Sequence, residues 1–269
     1  MTVGPRRRCV VITEADGPGQ TLAARVVEAG FDVRMFPVVA HGPATDPAPL
    51  ADALARLSEF DWVTFTSARA VDGVCACTEW SQWPWRTAQR PRIAAVGPVT
   101  RAALVAHAVP VSLYPENPGA RELAEALINA EGGSLAGRSV LWPRSNIARP
   151  DLGHALRAAG ASVVEHVAYC TTAVLPLNLA DTLRDLEAGR IDCVAFFSPS
   201  GAANLAAVMP GGTLAAWANR TIVASVGPTT SAALAHLGAP AAVEAESRTA
   251  GGLADALLNY FGLHEGNPP

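Results

Sequence analysis

The sequence predicts an α/β protein built as two similar parallel-sheet domains with flanking helices. Short apolar runs alternate with helical patterns along the 269 residues, as in sheets whose strands are joined by crossover helices. The stretch Ser225-Val-Gly-Pro-Thr-Thr-Ser-Ala-Ala-Leu234 has a counterpart in Ala95-Val-Gly-Pro-Val-Thr-Arg-Ala-Ala-Leu104. In each, a buried run enters a Gly-Pro turn and then a helix, with Pro at the first helical position, where its missing N–H costs little. Landmarks recur at one offset: Gly30 to Gly160, Gly97 to Gly227 and Leu123 to Leu253 are each 130 apart, and Ser67 to Ser198 is 131. A repeat of that length is domain-sized and too long for a solenoid unit of ~20–50 residues.

In chain order, Val10 to Ile12 is a buried strand and Thr13 to Gly19 a polar loop. Thr21 to Ala29 has helical spacing of Leu22, Val26 and Ala29, and Gly30 ends it. Phe31 to Ala40 reads as one long strand through Pro37, His41 to Pro49 as turn-rich, and Leu50 to Leu57 as a helix. Trp62 to Thr66 is a strand, Ser67-Ala-Arg69 opens a helix to about Cys77, and Glu79 to Pro91, with Trp80, Trp83 and Trp85, is a less regular connection. Ile93 to Val96 is the strand before the first Gly-Pro turn; Val111 to Tyr114 reads as a strand and Ala120 to Ile128 as a helix. From Arg138 the series restarts. Val140 to Trp142 matches the first strand, Leu152 to Ala159 the first helix, Ala161 to Thr172 the long strand, and Ile191 to Phe197 the strand at Trp62. Ile222 to Val226 leads into the second Gly-Pro turn, and Gly251 to Leu257 answers Arg121 to Leu127. The end from Gly262, with Pro268 and Pro269, is expected to fray.

Half of the residues are hydrophobic and 16% are charged, which suits a compact chain and excludes disorder. A formal net charge of -4 argues against a nucleic-acid binder, and Arg6-Arg7-Arg8 reads as a solvated strand entry. Of the five cysteines, Cys9 and Cys193 fall in buried strands, while Cys75-Ala-Cys77 lacks the spacer of a zinc knuckle. Reduced thiols and a cytoplasmic location are therefore expected. The N-terminus lacks a signal peptide's apolar core, and no apolar run approaches the ~20 residues of a membrane span. The six His are scattered without ligand spacing, so no metal site is expected.

In open parallel sheets, ligands gather at the carboxyl ends of the strands. The loops there are 13–19, 67–69, 97–100, 144–149, 198–201 and 227–230, rich in Ser, Thr, Gly and Pro. Backbone N–H groups and hydroxyls in such loops suit carboxylates or phosphates. Taken singly, each loop is ordinary turn and cap chemistry; arranged twice, the set predicts a ligand cleft between the domains. The nucleophile elbow, the Walker loop, the dinucleotide fingerprint and the zinc-protease helix motif are all missing. His166 and Tyr169 lie three apart, on opposite faces of a regular strand. Tyr169 is either a half-buried packing residue or a proton donor over the cleft, since a tyrosine makes a plausible acid but a poor base at neutral pH. Arg69, Arg144 and Arg149 are the candidate cleft cations, each equally readable as a solvated loop residue; the repeat places Glu14 opposite Arg144.

These motifs together resemble the uroporphyrinogen-III synthase family over nearly the whole chain. The resemblance rests on Asp61-Trp-Val-Thr-Phe-Thr-Ser67, Ala95-Val-Gly-Pro98 with Thr100, and Trp142-Pro-Arg144 with Arg149. It continues through Tyr169-Cys-Thr171, Phe196-Phe-Ser-Pro-Ser-Gly201, Val226-Gly-Pro-Thr-Thr230 and Thr249-Ala-Gly-Gly-Leu253. It implies a discontinuous domain of residues 1–38 plus 174–269 and a second of 42–166, joined by a two-stranded antiparallel ladder of residues 36–41 and 165–173. It also implies cyclisation of hydroxymethylbilane to uroporphyrinogen III, with loss of water and inversion of the last pyrrole ring through a spiro intermediate. No cofactor is needed, because the pyrrole nitrogens expel the leaving group. Tyr169 takes the place of the family's tyrosine as the catalytic residue. Thr66, Ser67, Ala68, Gly97, Thr100, Arg144, Arg149, Ser198, Pro199, Ser200, Gly201, Gly227, Thr229 and Thr230 are the implied substrate-binding positions. The expected partner is hydroxymethylbilane alone, supplied free or handed over by its synthase, with a monomeric protein and no nucleic acid or membrane. Thr13-Glu14 departs from the family's usual Thr-Arg. Two rivals stand beside this reading: a non-catalytic two-lobed protein that clamps an anionic tetrapyrrole or another small acid, and a group-transfer enzyme, which would want a nucleotide signature the chain lacks.

Overall fold

A computed structural model describes residues 6–83, 91–209 and 213–263. Trp85, within the irregular connection, and the tail with Pro268 and Pro269 lie outside the described residues. The chain divides into two compact units, Met1–Ala40 with Thr172–Pro269, and His41–Thr171. In chain order the elements run β1 (Cys9–Ile12), α1 (Pro18–Glu28), β2 (Asp32–Met35), β3 (Val39–Pro43), α2 (Ala48–Leu54), β4 (Trp62–Phe65), α3 (Ala68–Cys75), α4 (Thr78–Ser81), β5 (Arg92–Ala95), α5 (Pro98–Ala106) and α6 (Ala120–Ala130). They continue through β6 (Ser139–Ser145), α7 (Asp151–Ala158), β7 (Ser162–Ala173), α8 (Leu179–Glu187), β8 (Cys193–Phe196), α9 (Pro199–Val208), α10 (Thr213–Ala218), β9 (Ile222–Ser225), α11 (Pro228–His236), β10 (Val243–Glu244) and α12 (Ala250–Tyr260).

The first unit holds a parallel sheet in the order β10-β9-β8-β1-β2. Side chains alternate along each strand. Val10, Ile12, Cys193, Ala195 and Ala224 therefore face Leu22 and Val26 of α1 and Leu253 and Leu257 of α12. Val11, Val194, Phe196 and Val223 face Leu186 of α8, Leu205 of α9, Trp217 of α10 and Leu234 of α11. Both faces are covered, so the strands are apolar throughout.

The second unit is organised the same way, in the order β3-β7-β6-β4-β5, with β4, β5, β6 and β7 parallel. Val63, Phe65, Ile93 and Leu141 pack with α2, α3, α4 and α5 through Leu54, Val71, Trp80 and Leu104. Trp62, Val140 and Trp142 pack with α6 and α7 through Leu123, Leu127, Leu152 and Leu156. Glu131, just past α6, accepts hydrogen bonds from Trp62 Nε1 at 3.1 Å and from Arg92, and lies 2.6 Å from Arg138 Nε. Its carboxylate is thus buried but fully partnered. The starts of β1 and β6, β5 and β9, α5 and α11, and α6 and α12 are each separated by 130 residues.

Several elements differ from the sequence reading. The stretch from Phe31 to Ala40 is two strands: Phe36 and Pro37 interrupt it, and β3 carries on to Pro43 inside the stretch read as turns. Pro37 has no N–H to give a ladder. Val111 to Tyr114 forms a single bridge, Ala94 with Leu113, between Pro110 and Pro115. The helix expected over Leu50 to Leu57 starts at Ala48, stops at Leu54, and is followed by a 3-10 turn at Leu57–Glu59. Helices α8 and α10 and the short strand β10 had no reading from sequence. The strand Ser162–Ala173 is irregular where Arg144 pairs with Val167 but Ser145 with Tyr169. Strict alternation fails there, and Tyr169 packs against the same apolar cluster as Val164 and Ala168.

The loop after β1 depends on a glycine for space. A Cβ on Gly19 would lie 1.8 Å from the Glu14 carbonyl oxygen, a backbone atom with nowhere to go. Gly19→Ala is expected to lower the denaturation midpoint by the equivalent of about 1–3 kcal/mol. Gly42→Ala, where a Cβ meets nothing within 4 Å, should stay within about 0.5 kcal/mol of wild type.

Candidate functional site

The carboxyl edge of each parallel sheet is where strands hand over to helices, and the polar groups of the chain collect there. In the second unit, β4 runs out through Thr66 into Ser67, whose extended backbone (φ -158, ψ 151) makes it the N-cap of α3. Ser67 Oγ accepts the Ala70 amide at 3.1 Å, satisfying one of the helix's unpaired donors. The same hydroxyl donates to Tyr169 Oη at 3.2 Å. Tyr169 is half-buried on β7, and its ring lies 6.1 Å from that of His41. Beside them, Thr66 Oγ1 accepts the indole N–H of the buried Trp142 at 3.2 Å. The positions Thr66, Ser67, Ala68 and Tyr169 are therefore brought to one edge, with Ala68 as the first residue of α3.

The Gly-Pro turn before α5 has Gly97 in an extended conformation open to any residue (φ 172). Glycine is needed for another reason: a Cβ would lie 2.7 Å from Pro118 Cβ. Thr100, in the first turn of α5, is buried. Arg144 sits at the end of β6 with its Nε 2.8 Å from Glu165 Oε2, though not aligned to it as a hydrogen bond. Its Nη1 donates to the Ser145 carbonyl at 3.1 Å and its guanidinium lies 5.7 Å from the Trp142 ring. Glu165 also pairs with Arg157 at 2.7 Å. Arg149 is exposed, 3.7 Å from Asp151. Neither cation stands apart from a carboxylate.

In the first unit, Ser198 repeats the role of Ser67 as N-cap of α9. It accepts the Gly201 amide at 3.1 Å and lies 3.0 Å from Ser200 Oγ, with Pro199 as the first helical residue. Gly227 precedes α11; Thr229 is exposed, while Thr230 is buried and its amide donates to the Gly227 carbonyl at 3.0 Å. Thr13 Oγ1 donates to the Ala195 carbonyl at 2.8 Å and ties the end of β1 to β8. Glu14 is only 6% exposed, its backbone packed against the Gly19 turn.

A group at the edge that sequence reasoning missed surrounds Thr171. Its amide donates to Asn146 Oδ1 at 2.7 Å, Asn146 Nδ2 donates back to its carbonyl at 3.2 Å, and His41 Nδ1 lies 3.2 Å from its hydroxyl. The sequence signals were Asn146 in a strand-end loop and Thr171 in the Tyr169-Cys-Thr171 motif, with nothing to join them. Burial pushes the Cys75 thiol up to about 11, with Asp72 adding to it, and burial also raises Cys77 and Cys193. Burial, with Arg56 adding to it, lowers the His166 imidazole below its ordinary value. Among the described residues, no three His, Cys, Asp or Glu side chains gather as a metal-holding group, and no helix is long and apolar enough to cross a membrane.

With this geometry in place, comparison with known proteins is specific. A family model described as uroporphyrinogen-III synthase HemD matches residues 20–255. The uroporphyrinogen-III synthase of Synechococcus elongatus is 29% identical over 94% of this chain and 95% of its own. That of Escherichia coli is 30% identical over 57% of this chain and 61% of its own. In structure, a mutant uroporphyrinogen III synthase from Thermus thermophilus superposes with a TM-score of 0.68 at 18% identity, covering 97% of this chain and 100% of the other. The last of these speaks to fold alone.

The two serine caps can be told apart from their neighbours by stability. Ser198→Ala should cost about 1 kcal/mol in chemical denaturation. Ser200→Ala, whose hydroxyl among the described residues meets Ser198 Oγ alone, should cost less than about 0.5 kcal/mol.

Proposed function

The chain belongs to the uroporphyrinogen-III synthase family, and from that premise we propose how its residues serve the family's reaction, the cyclisation of hydroxymethylbilane to uroporphyrinogen III. The substrate is a linear chain of four pyrroles bearing eight carboxylates and a terminal hydroxymethyl group. The groups taken to hold it lie at the carboxyl edge of each sheet: hydroxyls of Thr66, Ser67, Ser198, Ser200, Thr229 and Thr230, and first-turn amides of α3, α5, α9 and α11 other than those of the prolines that open α5, α9 and α11. Hydroxyls and helix N-termini suit carboxylates without a dense cluster of cations. That matters because the intermediate is itself a cation, and free guanidinium groups beside it would oppose its formation. Arg149, beside Asp151, and Arg144, which shares Glu165 with Arg157, serve as positioning groups whose charge is offset in part.

Tyr169 gives its proton to the departing hydroxyl. The C–O bond breaks, water leaves, and the pyrrole nitrogen's lone pair makes the azafulvene cation. The last ring then attacks through its already substituted carbon, giving a spiro intermediate that reopens and closes with that ring inverted. The observation that carries this role is the Ser67–Tyr169 contact of 3.2 Å at the N-terminus of α3. It sets a phenol at the carboxyl edge of β7, bonded on one side only by a capping hydroxyl.

We take the two units as duplicate halves whose first strand–helix–strand segments are exchanged, with 1–38 plus 174–269 as one domain and 42–166 as the other. An antiparallel ladder of 36–41 and 165–173 joins them. Supporting this, the contact partners run in opposite senses: Val174 N–H with the Val38 carbonyl at 3.1 Å, Thr172 with Ala40 at 3.5 Å, and His41 with Thr171 at 3.2 Å. The five free cysteines suit a monomer working in the reducing cytoplasm, with hydroxymethylbilane supplied free or by its synthase.

The assay supplies enzymatically made hydroxymethylbilane, oxidises the products and separates the uroporphyrin isomers. The type III isomer is expected in excess. Type I alone, at the uncatalysed rate, would leave only a two-lobed binding protein. Tyr169→Phe should fold as wild type and lose roughly 10²-fold or more in turnover, the scale of general-acid catalysis; unchanged turnover would make Tyr169 a packing residue.

A further inference from the structure

The hydroxyls of Thr66 and Ser67 each accept from a group that can only donate, and Ser67 lies next to the hydroxyl of Tyr169. An indole N–H is a donor and never an acceptor. Trp142 Nε1 lies 3.2 Å from Thr66 Oγ1, and Trp142 is 2% exposed, so water does not compete for its proton. Thr66 must accept, and its own proton is left to give away. The Ala70 amide, 3.1 Å from Ser67 Oγ, is likewise only a donor. Ser67 Oγ in turn donates to the next oxygen, Tyr169 Oη at 3.2 Å. One lone pair of the phenol is then occupied, and its own proton turns away from Ser67.

We propose that Ser67 and Trp142 are positioning residues for the reaction. Ser67 aims the Tyr169 proton at the leaving hydroxyl and then holds the phenolate left behind. Trp142 fixes Thr66 as a donor to a substrate carboxylate. The proposal rests on Tyr169 acting as the acid. The proton that leaves Tyr169 departs in the water molecule, with the C–O electron pair on oxygen. It is replaced when the last ring's α-carbon loses its hydrogen on final closure, so the tyrosine ends the cycle as it began. The bond from Ser67 strengthens as this happens, because a bond to an ionised acceptor is roughly twice as strong as one to a neutral acceptor. Tyr169 Oη also lies against the N-cap of an eight-residue helix, whose positive end favours the same ion. An interaction that is stronger in the transition state than in the ground state raises kcat without lowering KM.

The test is a double-mutant cycle in kcat and KM with hydroxymethylbilane. Ser67→Ala and Ser67→Gly are each made in the wild-type and Tyr169→Phe backgrounds, with Ser67→Thr as the conservative rescue and thermal unfolding as the control for folding. Gly keeps most of the N-cap stability that Ala loses, so a fold survives in which the hydroxyl is gone. In the wild-type background, loss of the hydroxyl should lower kcat by roughly tenfold with KM within about twofold. In the Tyr169→Phe background it should cause no further loss in kcat, and Ser67→Thr should restore most of the rate. Equal losses in both backgrounds, or a loss confined to KM, would make Ser67 a carboxylate holder and overturn the proposal. Tyr169→Phe at full turnover would instead remove the acid role on which it rests. Trp142→Phe keeps the ring but not the N–H. It should raise KM several-fold with kcat within about twofold; an unchanged KM would assign Trp142 to packing alone.

Discussion

A parallel sheet must hide both of its faces, and this constraint decides where chemistry can happen in each unit. Alternating side chains send Val10 and Ile12 to one layer of helices and Val11 to the other, and Val63 and Trp62 divide the second unit in the same way. With both faces sealed, the ends of the strands are what remain open. Because all the central strands run one way, every crossover helix begins at the same end. Helix N-termini, unpaired amides and capping hydroxyls are therefore concentrated there by topology, before any residue is chosen for function. Thr66, Ser67, Gly97, Ser198 and Gly227 are where they are because their strands end there.

Within that edge, the residue types settle how the hydroxyls point. A serine or threonine hydroxyl is both donor and acceptor, so alone it has no preferred sense. A donor-only neighbour on its oxygen fills one of its two lone pairs and leaves its own proton free to be given elsewhere. The Ala70 amide does this for Ser67, the Gly201 amide for Ser198, and the Trp142 indole for Thr66. Two of these donors come from the helix itself and follow automatically from N-capping. The third needs a tryptophan at one position of β6, buried against α6 and α7. Capping, usually counted as a stability device, thus also leaves a hydroxyl with its proton still to give.

The framework was legible in the sequence because its signals are local. Gly-Pro at the strand–helix junction, glycine after a helix and apolar runs of four residues each report on their own neighbourhood, and the 130-residue offset repeats them. Where reading failed, a non-local or subtractive effect had intervened. Phe31 to Ala40 looked like one strand because it is apolar, but Pro37 cannot continue a ladder, and the chain leaves one sheet before joining the other at Val39. Val111 to Tyr114 has strand composition, yet prolines on both sides leave it a single bridge. The partners at the site were beyond reach for a related reason. Ser67 and Tyr169 are 102 residues apart in sequence and meet because the order β7-β6-β4 leaves one strand between theirs. A slip at Arg144/Ser145 then shifts the pairing of Tyr169. Alternation counted along the sequence puts it opposite His166; packing puts it in the cluster with Val164 and Ala168.

Charge at the edge follows from the chemistry it must serve. A substrate with eight carboxylates invites a lining of arginines, but an enzyme that does so meets its own cationic intermediate with repulsion. Around Arg144, Glu165 lies against the guanidinium and Trp142 beside it, while Arg157 shares the same carboxylate, so the charge is offset in part. A guanidinium held in that way offers direction more than net charge. Glu14, its backbone packed against the turn that Gly19 allows, is buried, so it does not add a negative charge at an exposed position. On the proposed reading, hydroxyls and amides supply much of what meets an anionic substrate, as dipoles that attract carboxylates at short range. Dipoles also bring no net charge to bear on the cation formed when water leaves.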